Sequence, residues 1–184
     1  MIENAEKENQ RVRMSKIILR NSLISLLMHI PICKISIREI CDHAQINRST
    51  FYRYYGSQYD LLADIENEFT AEIEKYVSCK MESENDQLTS LLSFLESHRD
   101  LCRILLNNNV DPEFTGRLMN LPSIKTMVSD KAGCRYSSKE LEYLYGFIST
   151  GGFHIIRDWI NRDCREQPEE LAEFISGLIH NIIQ

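Results

Sequence analysis

The sequence predicts an all-α protein, with a small N-terminal three-helix domain followed by a larger helical C-terminal domain. Apolar residues recur at helical spacing along most of the chain, and no stretch alternates strictly enough to mark a strand. Glycine and proline are scarce, seven and four in 184 residues, which leaves too few turns for a many-stranded sheet. Two serine–glutamate pairs, Ser36 with Glu39 and Ser137 with Glu140, have the spacing of capping boxes, in which each side chain bonds the other residue's backbone N–H at a helix start.

The first helix is expected from Arg13 to Ile30, with Leu19, Leu23, Leu26, Leu27 and Ile30 on one face and Pro31 ending it. Polar residues 1–12 are expected to lie outside it as a mobile tail. Ser36 caps the second helix, Ile35 and Ile40 supply a hydrophobic staple, and Ile37, Ile40, Cys41 and Ala44 face inward. Asn47 is a suitable cap for a third helix, stapled by Ile46 and Phe51. Two short stapled helices joined by a tight turn make a helix-turn-helix. With Phe51 and Tyr55 facing the core at i, i+4, the residues Arg48, Ser49, Tyr52 and Arg53 point outward and Tyr54 lies near that edge.

Beyond Gly56-Ser57, Leu62, Ile65, Phe69, Ile73 and Tyr76 define the inner face of a longer helix, with Glu66, Glu68, Glu72 and Glu74 on its exposed side. After the polar break MESENDQ, the leucines 88, 91, 92 and 95 resume the pattern. It runs on through His98, Leu101, Cys102 and Leu105 with a bend. NNNVDPE and SDKAGCRY read as loops. Residues 113–128 between them read as helical, kinked or split at Pro122. The Ser137 box opens a helix to about Asp163, and Pro168, Glu169 and Glu170 suit the start of the last helix.

Net charge is −6, but it is unevenly spread. Residues 1–60 hold nine Lys/Arg against six Asp/Glu, an excess of three positive charges. Residues 61–184 hold twelve against twenty-one, an excess of nine negative charges. A basic front on an acidic body fits contact with nucleic acid or membrane. The six cysteines, 33, 41, 79, 102, 134 and 164, include no CxxC pair. With Met1 followed by a polar run rather than a leader, they read as reduced cytoplasmic thiols. His29, Cys33, Cys41 and His43 match no ligand spacing, so no metal site is expected. No apolar run is long enough to cross a bilayer.

The stretch SIREICDHAQINRSTFYRYYGSQYDLL resembles the TetR/AcrR family of transcriptional regulators. Ser36, Ile40, Ala44, Ile46, Thr50, Phe51, Tyr52, Tyr54, Ser57, Leu61 and Leu62 match that pattern in type and spacing. Three positions depart from it. Gln45 stands where the turn glycine is usual, Asn47 replaces serine, and Gln58 replaces a lysine that meets a phosphate. The resemblance implies a DNA-binding domain over residues 1–62 and an effector-binding and dimerisation domain over 63–184.

It further implies that the third helix enters the major groove. Thr50, Tyr52 and Tyr54 would then meet phosphates or the groove wall, and Arg48, Ser49 and Arg53 would occupy base-reading positions. Ser36 and Gln58 would lie at the flanking helix starts. The chemistry agrees, since arginine can pair with guanine O6 and N7 together while hydroxyls bond phosphate oxygens without reading sequence. For the C-terminal domain, Gly151, Ile155, Trp159, Phe174, Ile175, Leu178 and Ile182 are candidates for a homodimer interface. His98, Cys102, Phe114, Met119, Tyr143, Phe147 and His154 are candidates for an effector pocket. The expected function is a dimeric repressor on a palindromic operator in double-stranded DNA, released by a small-molecule effector, with no cofactor. The alternative is a helix-turn-helix-shaped regulator acting through protein contacts. No phosphate loop, nucleophile elbow or metal motif suggests an enzyme.

Overall fold

The computed structural model describes residues 2–79, 83–107 and 110–183, and the side chains of 2–9, 84 and 134 lie outside that description. Parts of two expected loops, at 80–82 and 108–109, therefore fall outside the described residues. Among the described residues every regular element is helical. The chain divides into two units, one ending at Glu68 and the other beginning at Phe69.

The first unit contains α1 (Ile2–Leu27), α2 (Ile37–Ala44), α3 (Arg48–Tyr54) and the opening turns of α4 (Gln58–Ser78). Leu19, Leu23, Ile40, Phe51 and Leu61 are completely buried in its core. Each such side chain contributes about 1.5–3 kcal/mol relative to leaving it in water. α1 begins well before the expected Arg13. Residues 2–12 carry no glycine or proline, and Glu3, Ala5, Glu6, Lys7, Glu8, Gln10 and Arg11 favour helix whether or not the segment is buried. Its far end closes at Leu27 rather than Ile30, and a short 3-10 turn, Ile32–Lys34, follows Pro31.

The capping box at the start of α2 is complete. Ser36 Oγ accepts from Glu39 N–H at 3.2 Å, and Glu39 Oε2 accepts from Ser36 N–H at 2.8 Å. The staple residues Ile35 and Ile40 are both buried. At α3, Asn47 takes the cap position, but its side chain makes no capping bond. Its backbone carbonyl instead accepts from Thr50 and Phe51 N–H at 2.9 and 3.2 Å.

The turn between α2 and α3 is a Schellman motif. Ile46 N–H bonds Cys41 C=O at 3.0 Å and Gln45 N–H bonds Asp42 C=O at 3.3 Å. Gln45 holds φ 53°, ψ 38°, a left-handed conformation that glycine would occupy without the Cβ penalty. α4 opens on a Ser57–Asp60 cap whose return bond reaches Gly56, one residue before the serine. Ser57 Oγ accepts from Asp60 N–H at 3.2 Å, and Asp60 Oδ2 accepts from Gly56 N–H at 2.9 Å. Any Cβ on Gly56 would stand 2.9 Å from that same oxygen. Glu66, expected on the exposed face of α4, is buried at 4% exposure. It falls four residues after Leu62 and three before Phe69, so the buried stripe is wider than the apolar residues alone suggest.

The second unit holds the rest of α4 with α5 (Glu84–Ser97), α6 (Arg99–Leu106), α7 (Phe114–Met119), α8 (Pro122–Ala132), α9 (Ser138–Asn161) and α10 (Pro168–Ile183). α5 packs along α10 more extensively than any other described helix pair. The expected bend falls at His98, whose φ −113°, ψ 27° separates α5 from α6. Pro122 splits the 113–128 segment by taking the first position of α8, where its missing N–H costs nothing. SDKAGCRY is not a loop throughout. α8 runs into it as far as Ala132, and a 3-10 turn, Gly133–Arg135, follows.

Ser137 and Glu140 form their expected box at the start of α9. α9 ends in a second Schellman motif, with Cys164 N–H on Trp159 C=O at 3.0 Å and Asp163 N–H on Ile160 C=O at 3.3 Å. Asp163 supplies the left-handed residue there, at φ 67°. Arg103 of α6 braces this corner, donating to Ile160 C=O at 3.1 Å and to Asp163 Oδ1 at 2.8 Å.

Candidate nucleic-acid interface

α3 is seven residues long, and its two sides differ sharply. Phe51 is 0% exposed and the following Tyr55 5% exposed, whereas Tyr52 stands 58% exposed. Arg48, Ser49 and Arg53 are exposed with it, while Thr50 and Tyr54 are half-buried at the margin. The Tyr52 ring meets Phe51 edge-on at 5.8 Å between centroids, a favourable arrangement for aromatic quadrupoles. That contact steadies the ring without removing its hydroxyl end from solvent. The result is a short helix presenting two guanidiniums and several hydroxyls. Such donors suit phosphate oxygens and base edges.

The orientation of α3 is held from behind. Tyr55 Oη donates to Asp64 Oδ2 at 2.5 Å, and Arg20 of α1 reaches the same oxygen through Nε at 3.1 Å and Nη2 at 2.9 Å. Arg20 also pairs with Glu68. Burial acts to raise the Asp64 pKa, but the bonds from Tyr55 and Arg20 outweigh it and hold the carboxyl below its ordinary range. Burial and the neighbouring carboxylate together push the Tyr55 phenol up. Lys16, one turn before Arg20 on α1, sits over the rings of Tyr55 and Tyr54, 5.5 and 6.0 Å from their centroids. Sequence reasoning missed Lys16, Arg20 and Asp64 entirely.

Ser36 and Gln58 flank this face. The Ser36 hydroxyl gives its single proton to Glu39 Oε2 at 2.7 Å, so it retains only acceptor capacity. Gln58 is the first residue of α4 and is half-buried.

Residues 26–65 match the family described as bacterial regulatory proteins, tetR family. Residues 82–181, more than half the chain, match one described as a transcriptional regulator C-terminal region. The chain belongs to the TetR family of transcriptional regulators. The TetR-family fold is also found in solved structures. A TetR transcriptional regulator from Streptococcus agalactiae 2603V superposes with a TM-score of 0.71 at 20% identity, over 95% of this chain and 98% of that one. The dihydroxyacetone kinase operon activator DhaS gives 0.64 at 19% identity, over 92% and 96% of the two chains. The fatty acid degradation regulator FadR from Bacillus halodurans gives 0.66 at 13% identity, over 90% and 94%. In sequence, the chain is 20% identical over 173 residues to the uncharacterized HTH-type transcriptional regulator YxbF of Bacillus subtilis (strain 168). That match covers 88% of this chain but only 43% of its relative, so this TetR-family chain spans less than half that protein's length.

The second unit of this TetR-family protein holds a partly open cavity of about 180 Å³. Ile73 and Tyr76 of α4, Leu88 and Leu91 of α5, Met119 of α7, Met127 of α8, Phe153 of α9 and Ile179 of α10 contribute to its wall. Gln87, Lys131, Ser149 and Ser176 add polar groups. Gln87 also donates from Nε2 to the carbonyls of Tyr76 and Val77 at 2.9 and 2.6 Å, closing the end of α4.

Of the seven pocket candidates, only Met119 lines this cavity. His98 is exposed at the α5–α6 break, stacked on Phe94 at 4.5 Å. Cys102 is fully buried and gives its thiol proton to Leu95 C=O at 3.5 Å, and burial pushes its pKa up to about 12. Phe114 is core, packed on Phe69. Tyr143, Phe147 and His154 are exposed on α9. The wall of this cavity is mostly Leu, Ile and Val, which look like core in a sequence.

The interface candidates divide similarly. Trp159 and Ile175 are buried within the chain, Trp159 donating from Nε1 to Glu166 C=O at 3.0 Å. Neither is available to a partner. Gly151 is exposed and Ile155 half-buried. Phe174, Leu178 and Ile182 form an exposed stripe in successive turns of α10, and Tyr143 and Phe147 form another on α9, with Phe147 66% and Phe174 57% exposed.

Proposed function

We propose that this TetR-family regulator is a homodimeric repressor that binds a palindromic operator in double-stranded DNA through α3 and releases it when a small molecule fills the second unit. The observation that carries this reading is the outward face of α3. Arg48, Ser49, Tyr52 and Arg53 are exposed on a helix whose inner side is locked by Phe51 and Tyr55. Arg48 and Arg53 are the base readers, Thr50, Tyr52 and Tyr54 the phosphate and groove-wall contacts, and Gln58 a neutral neighbour of the backbone.

Two such helices must reach successive major grooves, on the order of 34 Å apart, which is the reason for a dimer. The exposed apolar stripes of α9 and α10 are the surface proposed to form it, since aromatic and aliphatic patches of this kind are typical of helical interfaces. The effector site is the 180 Å³ cavity, a volume comparable to engineered apolar cavities of about 150 Å³ that take up benzene. A ligand favouring one conformation lowers the population that fits the operator. This scheme places the protein in the cytoplasm with its DNA. Among the described residues no helix is long and apolar enough to cross a membrane.

Titration of the purified protein against its own upstream DNA, by fluorescence anisotropy at several salt concentrations, tests the reading. Specific binding that weakens steeply with salt is expected. Binding to no genomic fragment would favour action through protein contacts instead. Replacing Arg48 or Arg53 with alanine should cost about 1–3 kcal/mol at the operator and relax the sequence preference. A randomised-site selection that returns the wild-type preference would remove that arginine from the readout.

A further inference from the structure

We propose that Lys16 of α1 is a second anchor for the DNA backbone, holding one phosphate jointly with the Tyr54 hydroxyl at the end of α3. The inference rests on the reading of α3 as the DNA-facing helix.

Lys16 and Arg20 lie one turn apart on α1, yet their charges have different fates. Arg20 is consumed internally, paired with Asp64 at 2.9 Å and with Glu68. The Asp64 oxygen it meets already takes Tyr55 Oη as well. Lys16 makes no hydrogen bond or ion pair among the described residues. Its described contacts are the two tyrosine rings, whose faces hold the ammonium 5.5 and 6.0 Å from their centroids, and its charge also acts on the Asp64 carboxylate without bonding it. Such a cation–π contact orients a cation while leaving its N–H donors open.

The rings in question close α3. Tyr54 is half-buried at the edge of the outward face, and its neighbour Arg53 is exposed on that face. A tyrosine ring carries its oxygen about 2.8 Å from its centre by standard bond lengths. A phosphate accepting from Tyr54 Oη is therefore within reach of the four-carbon stem of Lys16. The α4 start beside this edge bears Gln58 and Asp60, so it supplies no cation of its own. Lys16 adds a positive charge from α1 beside Arg53 at that end of the helix. Its contact carries no base information, since phosphate contacts fix register without reading sequence.

The test compares wild type with Lys16→Gln and Lys16→Arg on an operator-containing upstream fragment and on a random fragment of equal length, across a salt series. Lys16→Gln should lower affinity for both fragments by the same factor, roughly three- to tenfold. It should also make the log–log salt slope shallower by about 0.9 per protomer bound. Lys16→Arg should restore both, and Lys125→Gln, an exposed lysine of the second unit, should change neither. An unaltered slope in Lys16→Gln would overturn the proposal. So would loss of affinity accompanied by a lower melting temperature and no rescue by arginine, which would make the lysine structural. A wild-type protein that binds neither fragment would take the DNA reading down with it, a result distinguishable from failure of the lysine alone.

Discussion

Asp64 shares one oxygen among Tyr55 and two nitrogens of Arg20, so a single ionised carboxylate ties the end of α3 to α1. Its folded pKa lies below the ordinary value, so its contribution is fully present above the unfolded pKa, about 3.9. That contribution is lost as pH falls through the lowered folded value. Asp64→Asn should destabilise the first unit at neutral pH by about 1.5–3 kcal/mol, the range for hydrogen bonds to charged groups. It should also flatten the decline in stability below about pH 4. Urea titrations at pH 7 and pH 3 check both, and an acid limb as steep as wild type would show that other carboxylates dominate. Phe51 and Tyr55 were legible in the sequence because an i, i+4 aromatic pair beside a stapled cap has one place to go. The Arg20–Asp64 pair was not, since its members lie 44 residues apart and no local spacing announces them.

Helix starts were easier to read than helix stops. Both serine–glutamate boxes form as expected, because capping joins residues three apart and is decided locally. The stops at Gln45 and Asp163 are Schellman motifs whose left-handed residue is not glycine, so the usual punctuation is missing. The start of α1 at Ile2 carries no such local signal, because polarity decides what a helix can bury and not where it begins. Gln45 offers the sharper test at this scale. A left-handed non-glycine residue costs about 1–2 kcal/mol, part of which glycine gives back through its freer unfolded chain. Gln45→Gly should therefore raise stability by about 0.5–1 kcal/mol, read as a higher urea midpoint at unchanged slope. A lower midpoint would mean that the glutamine side chain supports the turn.

At the scale of the molecule, the all-α class was visible from periodicity and the two-part layout from the family resemblance, but not which apolar residues are core, cavity wall or open surface. Ile175 and Phe174 are adjacent and equally apolar, yet one is 4% and the other 57% exposed. Charge at Ile175 would damage the fold, whereas Phe174→Glu with Leu178→Glu tests association itself. The pair should keep its helical circular dichroism, sediment as a monomer and bind operator DNA more weakly. A variant that remains dimeric would move the interface away from α10. The placement of the chain's single tryptophan also has a practical side. Trp159 is enclosed in the second unit with its indole N–H tied to Glu166, so its fluorescence follows the melting of that unit. The first unit has only tyrosine emission to betray it. A denaturation curve watched by indole light alone therefore reports on the surroundings of Trp159 and carries no local signal from the residues proposed to grip DNA.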